Sequence, residues 1–228
     1  MRIIDYIIIE DQNGKNVSFI RVDPEDISTT LRNIIDTLTN LSWISQFDKP
    51  YLQSTYNTRA ESTVKHICNM ISSAQVSGVY GDAAEYIVSE IARETVVEHL
   101  NYFDIPLAEL LKEQVSGNSG FDFFSANKSD VIIFGEAKYL SSKNAFGTGM
   151  EQVSRFISEK RDIADLADVQ SFFSEKALNG VVNGEKGFAV AFSSKKTSTS
   201  MLIKHIQQNQ YYNAISKFTE LIFIAVNI

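Results

Sequence analysis

The stretch from Gly120 to Lys138, GFDFFSANKSDVIIFGEAK, limits what this chain can fold into more than any other. Phe121, Phe123 and Phe124 form one extended run, Asn127-Lys128-Ser129-Asp130 forms a polar turn, and Val131 to Leu140 forms a second extended run. Apolar runs on either side of turn-forming residues predict a β-hairpin. Side chains alternate along a strand, so Ile132, Phe134, Glu136 and Lys138 share one face, and Val131, Ile133, Ala137 and Tyr139 the other. Both faces begin apolar, which predicts an interior strand. Glu136 and Lys138 then appear where a buried face ends at a cleft, with Asp122 beside Glu136 on the neighbouring strand.

That grouping has a chemical use. Two carboxylates converging within a few ångströms hold Mg²⁺ through hard oxygen ligands, and the ion polarises a phosphodiester and acidifies a bound water. A lysine beside them orients that water or offsets charge building on the phosphoryl oxygens. The implied reaction is hydrolytic phosphoryl transfer, which needs no organic cofactor. A Glu-x-Lys tripeptide alone is expected about once by chance in a chain of this length, and a solvent-facing strand carrying a glutamate and a lysine is the plain alternative. Ile132 and Phe134 on the same face, and Asp122 on the preceding strand, weigh against that alternative.

The helix predicted over Asp82 to Leu100 adds a third acid. Glu90, Glu94 and Glu98 recur every fourth residue and read as a solvated stripe. Glu85 instead heads the row Glu85, Val88, Ala92, Val96 on the flank of the apolar arc. A carboxylate there is desolvated unless it meets a cation, although helix-dipole stabilisation of a first-turn glutamate explains it nearly as well.

Here the residues resemble a family. An acidic helix, then Asp122, a hairpin, Glu136-x-Lys138 and another helix, in that order, resemble the PD-(D/E)xK nuclease superfamily over roughly Val79 to Ile228. The proline of the family name is absent, since Phe121 precedes Asp122. The resemblance implies a restriction-endonuclease-like α/β fold, a mixed central sheet flanked by helices. It also implies Mg²⁺ (or Mn²⁺) held by Asp122 and Glu136 with Glu85 assisting, Lys138 as the catalytic lysine, and Gln152 as the glutamine some members carry on the following helix. The GFDF and GEAKY strings are similar to the nuclease subunit of Hachiman-type antiphage defence systems, which works with a helicase. The implied activity is therefore a Mg²⁺-dependent endonuclease acting on DNA in antiviral defence or restriction, with a helicase or a second copy as partner. A non-catalytic nucleic-acid-binding or assembly subunit on the same fold is the alternative.

The remaining chain reads as support. Residues 2–10 and 16–22 are predicted strands joined by an Asn13-Gly14 turn. Asp23-Pro24 is predicted to cap a helix whose buried stripe is Ile27, Leu31, Ile34, Ile35, Leu38 and Leu41. Trp43 reads as a packing anchor and Pro50 as a break. A second helix is expected from about Thr58 to Ser73, with Val64, Ile67, Cys68 and Ile71 inward; His66 and Cys68 face different ways and make no metal pair. Gln75 to Gly81 marks the expected boundary between an N-terminal hairpin-and-helix region, 1–76, and the nuclease-like core, 77–228. Pro106 to Glu113 reads as a short helix and Ser116 to Gly120 as a turn.

Beyond Lys138, the polar loop Ser141 to Gly149 carries Lys143. A helix is expected from Gly149 to about Asp165, with Val153, Phe156, Ile157 and Ala164 inward and Gln152 on the flank. Asn179-Gly180 and Asn183-Gly184 predict turns, Gly187 to Ser193 a strand, Met201 onward a helix, and Leu221 to Val226 a buried strand. The loop SSKKTSTS, Ser193 to Ser200, offers Lys195, Lys196 and several hydroxyls to a phosphate backbone, although loop solvation explains it as well. No phosphate-binding loop, dinucleotide fingerprint or internal repeat occurs.

The net charge of −7 argues superficially against a nucleic-acid partner. The acidity lies upstream of the motif: residues 1–120 hold 9 Lys+Arg against 17 Asp+Glu, and residues 121–228 hold 12 against 11. The single cysteine, Cys68, rules out an internal disulfide framework. The acidic start MRIIDYIIIEDQ suits neither a signal peptide nor a membrane span, so a cytoplasmic protein is expected.

Overall fold

The computed structural model describes residues 1–9, 15–77, 82–112, 120–141, 143–194 and 196–228. Its centre is a six-stranded mixed sheet in the order β1-β2-β6-β5-β4-β3. The strands are β1 (Arg2–Ile9), β2 (Asn16–Asp23), β3 (Phe123–Ala126), β4 (Ile132–Lys138), β5 (Lys186–Ser193) and β6 (Glu220–Val226). The helices are α1 (Ile27–Thr39), α2 (Pro50–Ser77), α3 (Asp82–Leu100), α4 (Ala108–Leu111), α5 (Phe146–Ser158), α6 (Arg161–Ala164), α7 (Leu166–Val169), α8 (Glu175–Val182), α9 (Thr199–Gln207) and α10 (Tyr212–Ile215). Strands β2, β6, β5 and β4 run parallel, and an antiparallel hairpin closes each edge. Thus β2, from the expected N-terminal region, pairs along its length with the last strand of the expected core. Among the described residues no helix is long and apolar enough to cross a membrane.

The two sheet faces are built from different side chains. Phe19, Phe124, Phe134, Phe188, Phe192 and Phe223 point to the side covered by α5, α8, α9 and α10. The opposite side of β5 carries Ala189 and Ala191, and α3 packs there with Ile87, Val88, Ile91, Ala92 and Val96. Burying each phenylalanine of the first side contributes about 1.5–3 kcal/mol. As expected, β4 is interior, and its alternation holds: Ile132 and Phe134 lie in the phenylalanine layer, Ile133 and Ala137 in the other.

The turn between β3 and β4 forms as its residue types predict. Asn127 Oδ1 accepts the N–H groups of Ser129 at 2.9 Å and Val131 at 3.1 Å, and Asp130 takes the left-handed conformation at φ 66°. The Asn13-Gly14 turn, the centre of the 75–81 boundary and the Ser116–Ser119 stretch lie outside the described residues.

Several local expectations change. The N-cap of α1 is Asp26, not Asp23: its carboxylate accepts from Ser28 N–H at 3.0 Å and Thr29 Oγ1 at 2.6 Å, after a left-handed turn at Glu25. Pro50 begins α2 instead of breaking the chain, since a proline at the first helical position forfeits no helical hydrogen bond. Asn179-Gly180 lies inside α8, which starts earlier at the Ser174 cap. The helix after Gly149 starts at Phe146 and ends at Ser158, and Ala164 is exposed on the separate α6. The glutamate stripe on α3 is not uniformly solvated. Glu90 is 1 % exposed, because Arg93 binds both its oxygens, at 2.9 and 2.6 Å.

Candidate functional site

The hairpin brings Asp122 and Glu136 to the same level. Phe123 pairs with Gly135 in the antiparallel register, and Asp122 donates its N–H to the Gly135 carbonyl at 2.8 Å, so Asp122 lies opposite Glu136. Any side chain at Gly135 would collide with the Phe123 ring crossing it, which is why glycine stands there. Asp122 is held from two further directions. Its carbonyl accepts the Ala108 N–H at 3.0 Å, and its Oδ2 accepts the Ala137 N–H at 2.7 Å. Before it, Lys112 Nζ and Asp165 Oδ2 clamp the Phe121 backbone at 3.1 and 2.9 Å.

Glu136 is fully buried in β4. Lys138 Nζ lies 2.8 Å from its Oε1, and among the described residues no donor meets either Glu136 oxygen in hydrogen-bond alignment. Burial, then the neighbouring Asp122, raises the Glu136 carboxyl well above its ordinary range, against the pull of Lys138. Asp122 is pushed up to about 6 by burial, although Lys138 and the Ala137 N–H oppose the shift. Burial alone would lower the Lys138 ammonium, but Glu136 and Asp122 together hold it above the ordinary lysine range.

Glu85 completes the group from α3. Its side chain is 46 % exposed, and its Oε2 lies 3.5 Å from Lys138 Nζ. Val88, Ala92 and Val96 below it are fully buried, so Glu85 stands at the open end of a core-facing row. Three carboxyl groups, from α3, the approach to β3, and β4, therefore act on the one Lys138 ammonium.

Sequence reasoning missed a further acid. Glu109 on α4 has a buried Oε2 with no hydrogen-bond partner among the described residues. Its carboxyl is pushed up to about 8, by burial and then by Asp122. The available signal was its setting, a glutamate between Ala108, Leu110 and Leu111, all buried.

The outer residues surround the same end of the sheet. A Cβ on Gly149 would lie 3.8 Å from Lys138 Cγ, and Gln152, one turn further along α5, is half-buried on that side. Lys143 and Lys196 are exposed on loops following β4 and β5. Asn144 ties these loops together, donating to Thr197 Oγ1 at 2.9 Å and accepting from Ser194 Oγ at 3.0 Å. Lys195 lies outside the described residues. The carboxyl ends of parallel strands are where open α/β sheets characteristically take ligands.

Carboxylate oxygens are the donors that hard divalent cations take. Glu85, Asp122 and Glu136 share the Lys138 ammonium, while the nearby Lys112 is paired with Asp165 at 3.2 Å. Glu136 brings two oxygens without aligned donors, the kind of group a metal satisfies. Among the described residues, however, no three Asp, Glu, His or Cys side chains are arranged as a ready-made cage. No protein-family model, no curated protein and no solved structure matches this chain.

Proposed function

We propose that this chain is a metal-dependent nuclease of the PD-(D/E)xK type, hydrolysing DNA phosphodiesters at the carboxyl end of β4 on a restriction-endonuclease-like sheet. The observation that carries the reading is Glu136, a buried carboxylate without aligned donors, opposite Asp122 and 2.8 Å from the Lys138 ammonium.

Asp122 and Glu136 would hold Mg²⁺ or Mn²⁺, with Glu85 alongside, and the ion would polarise the phosphodiester and acidify its bound water. The chain's own groups do the rest. The Ala137 N–H fixes the Asp122 carboxylate so that one oxygen keeps a constant position. Lys138 holds a positive charge beside the two acids and offsets charge growing on the phosphoryl oxygens. Glu85, more open than the others, would accept a hydrogen bond from the attacking water. Gln152, Lys143 and Lys196 flank the same end and would meet the nucleic-acid backbone, with Lys195 beside Lys196 in sequence. DNA as the substrate, a helicase partner and a defence role rest on the resemblance of the motifs.

The test is cleavage of duplex and single-stranded DNA by the purified chain, in Mg²⁺ or EDTA, with and without a helicase partner. Glu136→Gln and Lys138→Ala should each lower the rate by about 100-fold or more, the size of losing a principal electrostatic group. Full cleavage by both variants would remove the site. Absence of cleavage by wild type in every condition would favour the non-catalytic binding subunit. Discrete fragments in place of progressive degradation would mark a sequence-specific restriction enzyme.

A further inference from the structure

A cavity of about 140 Å³ lies between the end of α1, the start of the following 3₁₀ turn (Leu41–Gln46), α3 and α4. Its walls include Thr37, Asn40, Trp43, Glu90, Arg93 and Asp104. Volume alone admits a group about the size of a benzene ring, so the choice of ligand rests on charge and on the Trp43 wall.

Three features favour a cation in the cavity. Glu90 and Asp104 bring two carboxylates against one guanidinium, and Arg93 is already engaged with both: Nε and Nη2 bind the Glu90 oxygens, and Nη1 binds Asp104. The carboxyl end of α1 ends here at Asn40 with no Lys, Arg or His in its last turn, so its partial negative charge is not offset on the helix itself. Trp43 adds an indole wall, the aromatic ring that best attracts a cation. An anion would have to displace carboxylates from Arg93, whereas a cation meets an excess of acceptors. The Asp104 side chain is 66 % exposed, which leaves it accessible to a ligand arriving from solvent.

We infer that this cavity is a binding site for an organic cation, an alkylammonium or alkylguanidinium group seated against Trp43 and Asp104. The group is supplied by a free polyamine or by a lysine or arginine side chain of a protein partner. The stem of such a cation matches the apolar wall that Leu107 contributes, and its head meets the carboxylates.

Trp43 is the only tryptophan of the chain, so tryptophan fluorescence reports the surroundings of this one residue. Titration of the full chain with agmatine, putrescine and N-acetyl-arginine amide at fixed ionic strength should give a saturable change. Equal concentrations of n-butanol should give none. Asp104→Asn, on an exposed side chain, should keep the fold by circular dichroism and bind several-fold more weakly. Tighter binding of putrescine than of arginine amide assigns the site to polyamines, and the reverse order assigns it to a basic protein side chain. No saturable change with any cation, an equal response to butanol, or unaltered binding by Asp104→Asn would overturn the assignment.

Discussion

Lys138 Nζ stands 2.8 Å from Glu136 Oε1, on neighbouring same-face positions of a strand covered on both sides. Glu136 is fully buried and Lys138 is 14 % exposed, so neither charge is shielded well by water. Each makes the other tolerable. Removing one partner of such a pair costs more than removing both, because a lone buried charge is left behind.

Lys138→Ala should therefore lower the unfolding free energy by about 3–5 kcal/mol at neutral pH. The double variant Lys138→Ala/Glu136→Gln should recover much of that loss. Urea unfolding of the wild type, both single variants and the double variant measures the coupling. Strictly additive effects would show that the pair acts as two independent side chains.

Stability should depend on pH through the carboxyls that burial raises, Asp122 and Glu109 together with Glu136 and Glu94. Asp122 and Glu109 are raised in the folded state, to about 6 and about 8, mainly by burial. A raised acid binds its proton more tightly when folded, so its stabilising contribution is complete below the ordinary carboxyl range near pH 4. That contribution is lost as pH rises towards 8. At about 1.4 kcal/mol per pKa unit, these two groups should cost the wild type several kcal/mol between pH 5 and pH 8 without metal, and Asp122→Asn/Glu109→Gln should lose that much less. Equal pH dependence in the two proteins would contradict the assignment.

Divalent cations should reverse that penalty. Mg²⁺ or Mn²⁺ at about 100 times its dissociation constant adds about 2.7 kcal/mol to a protein that binds it only when folded. The thermal midpoint should rise with metal in the wild type and stay fixed in Glu136→Gln. A matching rise in both would place the ion elsewhere.

Gly149→Ala probes the contact between α5 and the site. A Cβ there would meet Val190 Cγ1 at 2.8 Å, closer than van der Waals contact allows. Overpacking should cost about 1–3 kcal/mol and push the start of α5 away from Lys138, lowering activity further than the stability loss explains. Unchanged stability and activity would mean that the helix shifts freely.

Much of the site could be read from the chain because it is local. The Asn127 turn, the alternation along β4 and the spacing of Glu136 and Lys138 all arise within one hairpin, whose chemistry is set by neighbouring residues. Even Glu85, although distant in sequence, was marked by a helical row whose other members are apolar. Glu109 and the Glu90–Arg93 pair were not legible in the same way, because their character depends on what covers them. Glu90 keeps the spacing of a solvated stripe, yet Arg93, itself also bound by Asp104, makes it a buried ion-pair partner.

The order of residues by itself determined which segments become strands and helices, and which carboxylates can share a hairpin, because backbone geometry fixes side-chain direction over a few residues. Only the tertiary structure decided that β2 pairs with β6, that α3 brings Glu85 to Lys138, and that Glu109 loses its water beside Asp122. Those outcomes depend on which surfaces exclude solvent together, a property of the whole packed chain that no local pattern encodes.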